Sequence, residues 1–266
     1  NDPSVSSVRR YLREFLSDPK VINLPWLARF LLLNCVILPF RPKQSAHAYQ
    51  AIWTKEGSPL MVHSQSLCQQ LQQNLGPHYQ VVIGMRYGKP SISHALQTLI
   101  DSGCDHIQLW PMFPQYADSS TDSALSCALV YLNKKAPKIV TTEIKDFFKE
   151  SFFIDPYAKI IKAHYKPDHH QHILFSFHGL PEKHVSRHDV PGSCQMRGPC
   201  PAVGKHNRYC YRAQAYATGE ALAKTLGLRH DQYDVSFQSR LGRIPWIQPY
   251  TDEYLGTLAK RGIKHL

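Results

Sequence analysis

A histidine closes a short apolar run in the second half of the chain, in the sequence HILFSFHGLP at positions 172–181. The run suits a strand that is covered on both faces of a parallel sheet, and Gly179 and Pro181 end the strand directly after His178. Ligands of open α/β sheets bind beyond the carboxyl ends of the strands, where a histidine can accept protons near neutral pH or bind a metal. The position predicts a functional role for His178, with an ordinary structural histidine as the alternative.

A cluster of cysteines follows this histidine in a loop rich in glycine and proline, SRHDVPGSCQMRGPCPAVGKHNRYCYR. Three cysteines fall within 17 residues, namely Cys194, Cys200 and Cys210, and His188 and His206 lie nearby. Their spacing differs from the paired CxxC pattern of zinc sites, whereas grouped thiolates bind iron–sulfur clusters or zinc. The cluster predicts a set of metal ligands, with three surface thiols that bind nothing as the alternative.

The composition limits the classes of partner. The 266 residues carry a net charge of +11, but the 31 lysines and arginines are scattered, without a basic stripe interleaved with aromatic residues. A nucleic-acid partner is therefore disfavoured, and a membrane surface or an anionic small molecule suits the charge. The seven cysteines are odd in number and four are widely spaced, which differs from a secreted disulfide framework and predicts a reducing cytoplasm.

The longest apolar stretch, LPWLARFLLLNCVILPF, runs from Leu24 to Phe40. It is shorter than a bilayer span and contains two prolines and Arg29, so we do not expect a transmembrane helix. Basic residues follow it at Arg41 and Lys43. Two interpretations stay open: a core helix, or an apolar lip that touches a membrane surface or an apolar ligand.

Alternating strand and helix patterns surround these residues. Short β-like runs predict strands at 79–85, 106–112, 138–142, 172–177 and 233–237. Apolar residues at helical spacing predict helices at 4–16, 45–54, 61–75, 92–102, 121–134, 156–164, 207–226 and 251–261. Strands that alternate with helices indicate parallel sheets and an α/β fold.

An internal repeat divides the pattern into two similar parts. VVIGMRYG and VSFQSRLG each place a β-like run before an arginine (Arg86 or Arg240), one further residue and a glycine. A helical stretch that ends at Gly103 or Gly262 follows each copy, and a second apolar run then begins. The repeat predicts two similar open α/β halves with a cleft between them.

Five blocks of the sequence together resemble the ferrochelatases, the enzymes that insert ferrous iron into a porphyrin to make haem. FSFHGLP at 175–181 resembles the family signature, and the longest match is FQSRLGRIPWIQPYTDE at 237–253. GSPLMVHS, GMRYG and PMFPQY match further family blocks at 57–64, 84–88 and 111–116. The resemblance covers nearly the whole chain.

The resemblance implies a fold of two similar Rossmann-like halves around a porphyrin cleft, in agreement with the internal repeat. The chelatase-like halves are expected at 1–150, without the first strand of the family, and at 151–266, without the family's C-terminal part. That part normally carries a glutamate opposite the histidine. Half of the family's active site is therefore expected outside this sequence.

The resemblance also implies an activity, the insertion of Fe(II) into protoporphyrin IX to form protohaem in the last step of haem biosynthesis, without a nucleotide cofactor. Insertion removes two pyrrole protons and strips water from the ion, and a neutral imidazole can act as the base or ligate the iron. The alternatives are a chelatase for another metal or porphyrin, and a non-enzymatic haem or iron carrier.

Family positions carried onto this sequence imply a role for individual residues. His178 is expected to be the catalytic residue and a contact for the iron substrate. Arg86, Tyr87 and Tyr116 are expected to bind the porphyrin, with packing roles as the alternative, and Trp246 is expected to be structural. The stretch at 24–40 corresponds to the family's apolar lip, which implies a cytoplasmic protein with peripheral membrane contact.

The cysteine loop is similar to that of some bacterial ferrochelatases, which carry a [2Fe–2S] cluster on cysteines in a comparable insertion. The segment NRYCYRAQAYAT carries this likeness. It implies that Cys194, Cys200 and Cys210 are cluster ligands. A fourth ligand would be a histidine, a distant cysteine or a residue of the C-terminal part.

Overall fold

The chain folds into α-helices and short strands, and the strands pair in parallel. The predicted α/β class is therefore confirmed. The computed structural model describes residues 2–166, 172–188, 198, 200–242 and 244–266. The chain divides into two units: Asn1–Pro111 with Asp118–Ile144, and Met112–Ala117 with Lys145–Leu266.

The first unit is mainly helical and contains one small sheet. Its helices are α1 (Val5–Ser17), α2 (Trp26–Leu31), α3 (Leu38–Ile52), α4 (Pro59–Leu75), α5 (Ile92–Asp101) and α6 (Ser123–Lys135), with π-helical turns at Leu32–Ile37 and Asp118–Asp122. Its strands β1 (His106–Leu109) and β2 (Val140–Glu143) pair in parallel, with His106 opposite Val140.

The apolar core of the first unit lies between α5, α6 and β1. Leu96 and Leu99 on one face of α5 pack with Ile107 of β1 and Leu132 of α6. Ser91 caps α5, because its hydroxyl accepts a hydrogen bond from an amide in the first turn. The helical spacing of the apolar residues in α5 thus buries one face against the sheet.

The described part of the second unit contains a parallel sheet of its own. Its helices are α7 (Ser151–His164), α8 (Glu182–Val185), α9 (Tyr211–Leu226) and α10 (Thr251–Lys260), with 3-10 turns at Ser186–His188 and His230–Gln232. Its strands are β3 (Ile173–His178) and β4 (Tyr233–Gln238), which pair from Ile173 opposite Tyr233 to His178 opposite Gln238.

Helix α9 approaches this sheet closely at Gly219. A Cβ atom at this position would lie 2.7 Å from Val235 Cγ2 and 3.5 Å from Phe175 Cδ2. Because glycine has no Cβ atom, the helix can pack directly against both strands. Leu222 of α9 and Phe237 of β4 belong to the same buried core.

The strand predicted at 79–85 is wrong. These residues have no regular structure apart from an isolated bridge between Met85 and Ser91. A strand needs a neighbour to pair its amides and carbonyls, and in the described part of the chain the sheets contain only β1 with β2 and β3 with β4. An apolar run by itself was therefore not enough to form a strand at these residues.

Two helices begin earlier than the pattern predicts. The helix predicted at 45–54 overlaps the end of α3 and extends two residues beyond it, and the one predicted at 156–164 is part of α7. Pro42 and Pro156 lie inside these helices. Proline is frequent in the first turn of a helix, so the pattern placed the beginning of each helix at or after its proline.

The apolar stretch at 24–40 is helical but largely exposed. Trp26 and Phe40 are 72% and 75% exposed, and Leu33 and Leu38 are among its few buried residues. The interpretation as a core helix is therefore wrong for most of the stretch. Among the described residues, no helix is long and apolar enough to cross a membrane.

Candidate active site

His178 is the last residue of β3, and its side chain is exposed. The strand places it opposite Gln238, at the carboxyl end of the parallel sheet. Desolvation by the surrounding protein lowers the pKa of the His178 imidazole. The ring is therefore neutral at neutral pH, which is the form that accepts a proton or binds a metal.

Gly179 follows His178 where the backbone passes close to β4 and a tryptophan. A Cβ atom here would lie 2.8 Å from the Gln238 carbonyl oxygen and 3.3 Å from Trp246 Cε3. The Gly179 amide donates a hydrogen bond to that same carbonyl, at 2.7 Å. Close approach is therefore the reason for a glycine after the histidine.

The next residues are held by the segment that follows β4. The Ile247 amide donates to the Leu180 carbonyl at 2.9 Å, and the Glu182 amide donates to the Pro245 carbonyl at 3.0 Å. Trp246 lies between these two hydrogen bonds in sequence. Its indole donates to the Leu241 carbonyl at 2.9 Å. The loop after His178 is thus fixed through its backbone.

Tyr116 lies in the short segment of the second unit that precedes the π-helical turn, and only 9% of its surface is exposed. Its amide donates to Gln214 Oε1 of α9 at 2.6 Å. Its ring packs against Tyr209 and His188, with ring centroids 4.9 and 5.3 Å apart. Tyr116 is therefore positioned by the residues at the start of α9.

Arg86 and Tyr87 lie in the first unit, where both donate hydrogen bonds to one carboxylate oxygen. Arg86 Nη2 and the Tyr87 hydroxyl lie 2.6 and 2.8 Å from Asp18 Oδ2. Ser123 also donates to this oxygen, and Arg86 Nε donates to the Ser123 carbonyl at 3.1 Å. The guanidinium lies 4.6 Å from the centre of the Tyr87 ring.

The charges of this group follow from burial and hydrogen bonding. Burial would raise the pKa of Asp18, but hydrogen bonds from Ser123, the Lys20 amide and Tyr87, with the charge of Arg86, lower it overall. Desolvation, with Asp18 nearby, raises the pKa of Tyr87 to about 12. An ionised carboxylate thus accepts hydrogen bonds from a cation, a neutral phenol and an alcohol.

The cysteine loop is partly described. Cys194 lies outside the described residues, while Cys200 and Cys210 lie within them. Arg212 Nη1 donates to Cys200 Sγ at 2.8 Å, and Arg212 is only 2% exposed. Cys210 is 3% exposed and stands at the N-cap of α9. Among the described residues, no group of three or more His, Cys, Asp or Glu side chains could hold a metal.

Comparison with known proteins decides the family. The ferrochelatase family model matches residues 2–266. A ferrochelatase from Coxiella burnetii is 46% identical over 267 residues, which cover 100% of this chain and 74% of the relative. One from Legionella pneumophila is 44% identical over 266 residues, covering 100% and 78%. The chain belongs to the ferrochelatase family.

In this ferrochelatase-family chain, sequence reasoning missed several residues that contact the candidate site residues, among them Asp18, Tyr211 and Gln214. Asp18 binds Arg86, Tyr211 binds the His178 carbonyl, and Gln214 binds the Tyr116 amide. Asp18 and Arg86 are 68 positions apart, and Gln214 and Tyr116 are 98 apart. No local pattern marks such partners, because the contacts depend on how distant elements pack.

Replacing the shared carboxylate tests the network in the first unit. We expect Asp18→Asn to lower the free energy of unfolding by about 3 kcal/mol, because the partly buried Arg86 loses its counter-charge. Asp231→Asn is the matched control, since it breaks an exposed ion pair with Arg229 and should change little. Urea denaturation of the full chain measures both.

The same variants give a pH dependence of known sign. Because the pKa of Asp18 is lowered on folding, its stabilisation is present above the pKa of the unfolded chain, about 4, and is lost as the pH falls below it. The difference between the wild type and Asp18→Asn should therefore shrink in acid. A difference that is constant between pH 7 and pH 3 would contradict the network as described.

Proposed function

We propose that the chain inserts Fe(II) into protoporphyrin IX, the last step of haem biosynthesis. The observation that carries this proposal is a neutral, exposed histidine at the carboxyl end of a parallel strand, in a chain of the ferrochelatase family. Similarity to the Coxiella and Legionella ferrochelatases over the full length of the chain supports it. The porphyrin and the iron are the substrates, and the reaction needs no nucleotide.

The reaction consumes one metal ion and releases two protons. The porphyrin gives up two pyrrole N–H protons, and the ion exchanges bound water for four pyrrole nitrogens. We assign His178 to the first task, as a general base, or to holding the iron during its transfer. Its lowered pKa supports both roles, because either one needs an unprotonated ring nitrogen.

We propose that Arg86, Tyr87 and Tyr116 bind the porphyrin. Arg86 keeps 29% of its side chain exposed while it is paired to Asp18, so it can meet a carboxylate in a fixed orientation. The partly exposed Tyr87 ring has a flat face of the kind that holds a macrocycle, whereas the Tyr116 ring is largely covered by Tyr209 and His188. We also propose that residues 1–150 and 151–266 correspond to the two chelatase-like halves of the family.

Substitution of His178 tests the central assignment. We expect His178→Ala to lower kcat for anaerobic Fe(II) insertion at least about 100-fold, because the base is removed. His164→Ala removes an exposed histidine from α7 and serves as the control. For the wild type, we expect kcat to fall only below about pH 6.5, the ordinary histidine value, since desolvation keeps His178 neutral to lower pH.

Each outcome of this experiment has a distinct meaning. Normal turnover by His178→Ala would refute the role of the histidine. A wild type that binds porphyrin but inserts no divalent metal would instead be a haem or iron carrier. A wild type that inserts another metal faster than iron would be a chelatase of different specificity. Comparison with coproporphyrin under the same conditions tests the choice of porphyrin.

We propose that the apolar stretch at 24–40 makes a peripheral contact with the cytoplasmic face of a membrane, from which the porphyrin enters. Several large side chains of this stretch point to solvent, namely Leu24, Trp26, Leu27, Phe30, Leu31, Val36 and Phe40. Arg41 and Lys43 directly after it are also exposed. An apolar surface beside basic residues suits an anionic bilayer.

Vesicle binding tests this contact. We expect the double variant Trp26→Ser, Phe40→Ser to bind vesicles of phosphatidylcholine and phosphatidylglycerol about tenfold more weakly, because two apolar side chains leave the bilayer. The control is Tyr79→Ser, Val130→Ser, which removes two side chains of similar exposure elsewhere in the first unit. Equal binding by both double variants would refute the contact.

We propose that the cysteine loop binds a [2Fe–2S] cluster through Cys194, Cys200, Cys210 and one further ligand. Cys200 fits this role, because the buried Arg212 guanidinium beside its sulfur favours the thiolate that a cluster requires. Cys210 lies ten positions later in the same loop, and the described residues alone do not complete a set of four ligands.

Metal analysis tests the cluster independently of activity. Protein purified without air should contain about two iron and two sulfide per chain. We expect Cys200→Ser to lose most of both, whereas Cys35→Ser, which changes an exposed thiol in the first unit, should keep them. Iron-free wild-type protein would contradict the cluster.

A further inference from the structure

We propose that Tyr211, the first residue of α9, is a positioning residue for His178. The Tyr211 hydroxyl donates a hydrogen bond to the His178 carbonyl oxygen at 2.8 Å. This inference rests on the proposed role of His178 in metal insertion. It adds to that role a residue that does not touch the reacting atoms but fixes the backbone that presents the imidazole.

The hydrogen bond completes a restraint on one peptide unit. The carbonyl of His178 accepts from Tyr211, and the amide of Gly179 in the same peptide donates to the Gln238 carbonyl at 2.7 Å. Both polar groups of the peptide are therefore held, one by a helix and one by the neighbouring strand. Because the plane of this peptide sets ψ of His178, the two bonds restrict the direction of its side chain.

The donor itself is held in place by the rest of α9. Burial raises the pKa of the Tyr211 phenol, so the hydroxyl stays protonated and can donate across the working pH range. The next residue, Arg212, is 2% exposed and donates to the Gln248 carbonyl at 3.0 Å and to the Gly198 carbonyl at 2.7 Å. Tyr211 thus acts from a rigid element rather than from a mobile loop.

The geometry predicts that loss of the Tyr211 hydroxyl lowers the rate of metal insertion more than it weakens the binding of the substrates. The substrates would still meet the same surface if the hydroxyl were removed, but the peptide after β3 would lose one of its two restraints. Misplacement of a reacting group by about 1 Å can cost 10²-fold in rate. A loss of restraint without displacement should cost less, and we expect about tenfold.

The test compares two tyrosines of the second unit. Tyr211→Phe removes only the hydroxyl that binds the His178 carbonyl. Tyr233→Phe removes a hydroxyl at the opposite end of the sheet, since Tyr233 pairs with Ile173 at the start of β3. For iron insertion, we expect Tyr211→Phe to lower kcat about tenfold, with unchanged KM for porphyrin and for iron, and Tyr233→Phe to retain both parameters.

A second measurement observes the histidine without turnover. The His178 ring signal in a two-dimensional NMR spectrum is assigned from its loss in His178→Gln. We expect Tyr211→Phe to shift or broaden this signal, leave the other histidine signals in place and keep the wild-type melting temperature. Tyr233→Phe should leave the His178 signal unchanged.

The outcomes separate this inference from the proposed function. If His178→Ala is inactive while Tyr211→Phe matches the wild type in kcat and in the His178 signal, the positioning role is wrong and the function stands. If kcat and the melting temperature both fall in Tyr211→Phe and KM rises, the residue is structural and the inference is also wrong. If the wild type inserts no iron while the His178 signal still moves in Tyr211→Phe, the proposed function fails but the contact stands.

Discussion

The contact between helix α9 and the two strands of the second sheet supports most of the candidate active site in that unit. Gly219 permits the contact, because any side chain there would overlap Val235. Once the helix lies against the strands, its first residues reach the end of β3 and the loop after β4. Tyr211 then binds the carbonyl of His178 at the end of β3, and Arg212 binds the carbonyl of Gln248 in the segment after β4.

The buried face of α9 is unusual in carrying polar side chains. Arg212, Gln214 and Thr218 are each at most 2% exposed, and an unsatisfied polar group at such positions would cost about 1–3 kcal/mol. Each has a partner: Gln214 binds the Tyr116 amide, and Thr218 accepts from Gln115 at 2.8 Å. The helix therefore specifies the position of the segment that contains Tyr116 more narrowly than an apolar face would.

In the first unit, a buried negative charge fixes the position of a candidate site residue. Asp18, which is 6% exposed, accepts hydrogen bonds from Arg86, Tyr87 and Ser123. A buried carboxylate is costly unless it is paired and hydrogen-bonded. Asp18 therefore needs these donors in order to be buried, and the donors need Asp18 as their acceptor. This requirement holds Arg86 in a fixed orientation while part of its side chain stays exposed to solvent.

The sequence by itself determined the parts of this protein that depend on local pattern. The α/β class, strands β1 to β4 and the placement of His178 at the end of β3 follow from short apolar runs bounded by glycine and proline, since side-chain periodicity and turn chemistry act over a few residues. The family also followed from the sequence, because blocks such as FSFHGLP are continuous in the chain.

Only the tertiary structure decided the remaining features. The run at 79–85 is not a strand, because strand formation depends on a partner that local pattern does not reveal. The stretch at 24–40 is exposed, because burial depends on which surfaces the rest of the unit supplies. Asp18 and Tyr211 reach their partners across 68 and 33 positions. Packing of distant elements brings such pairs together. Hydrogen bonds between residues so far apart in the chain leave no periodic pattern in the sequence.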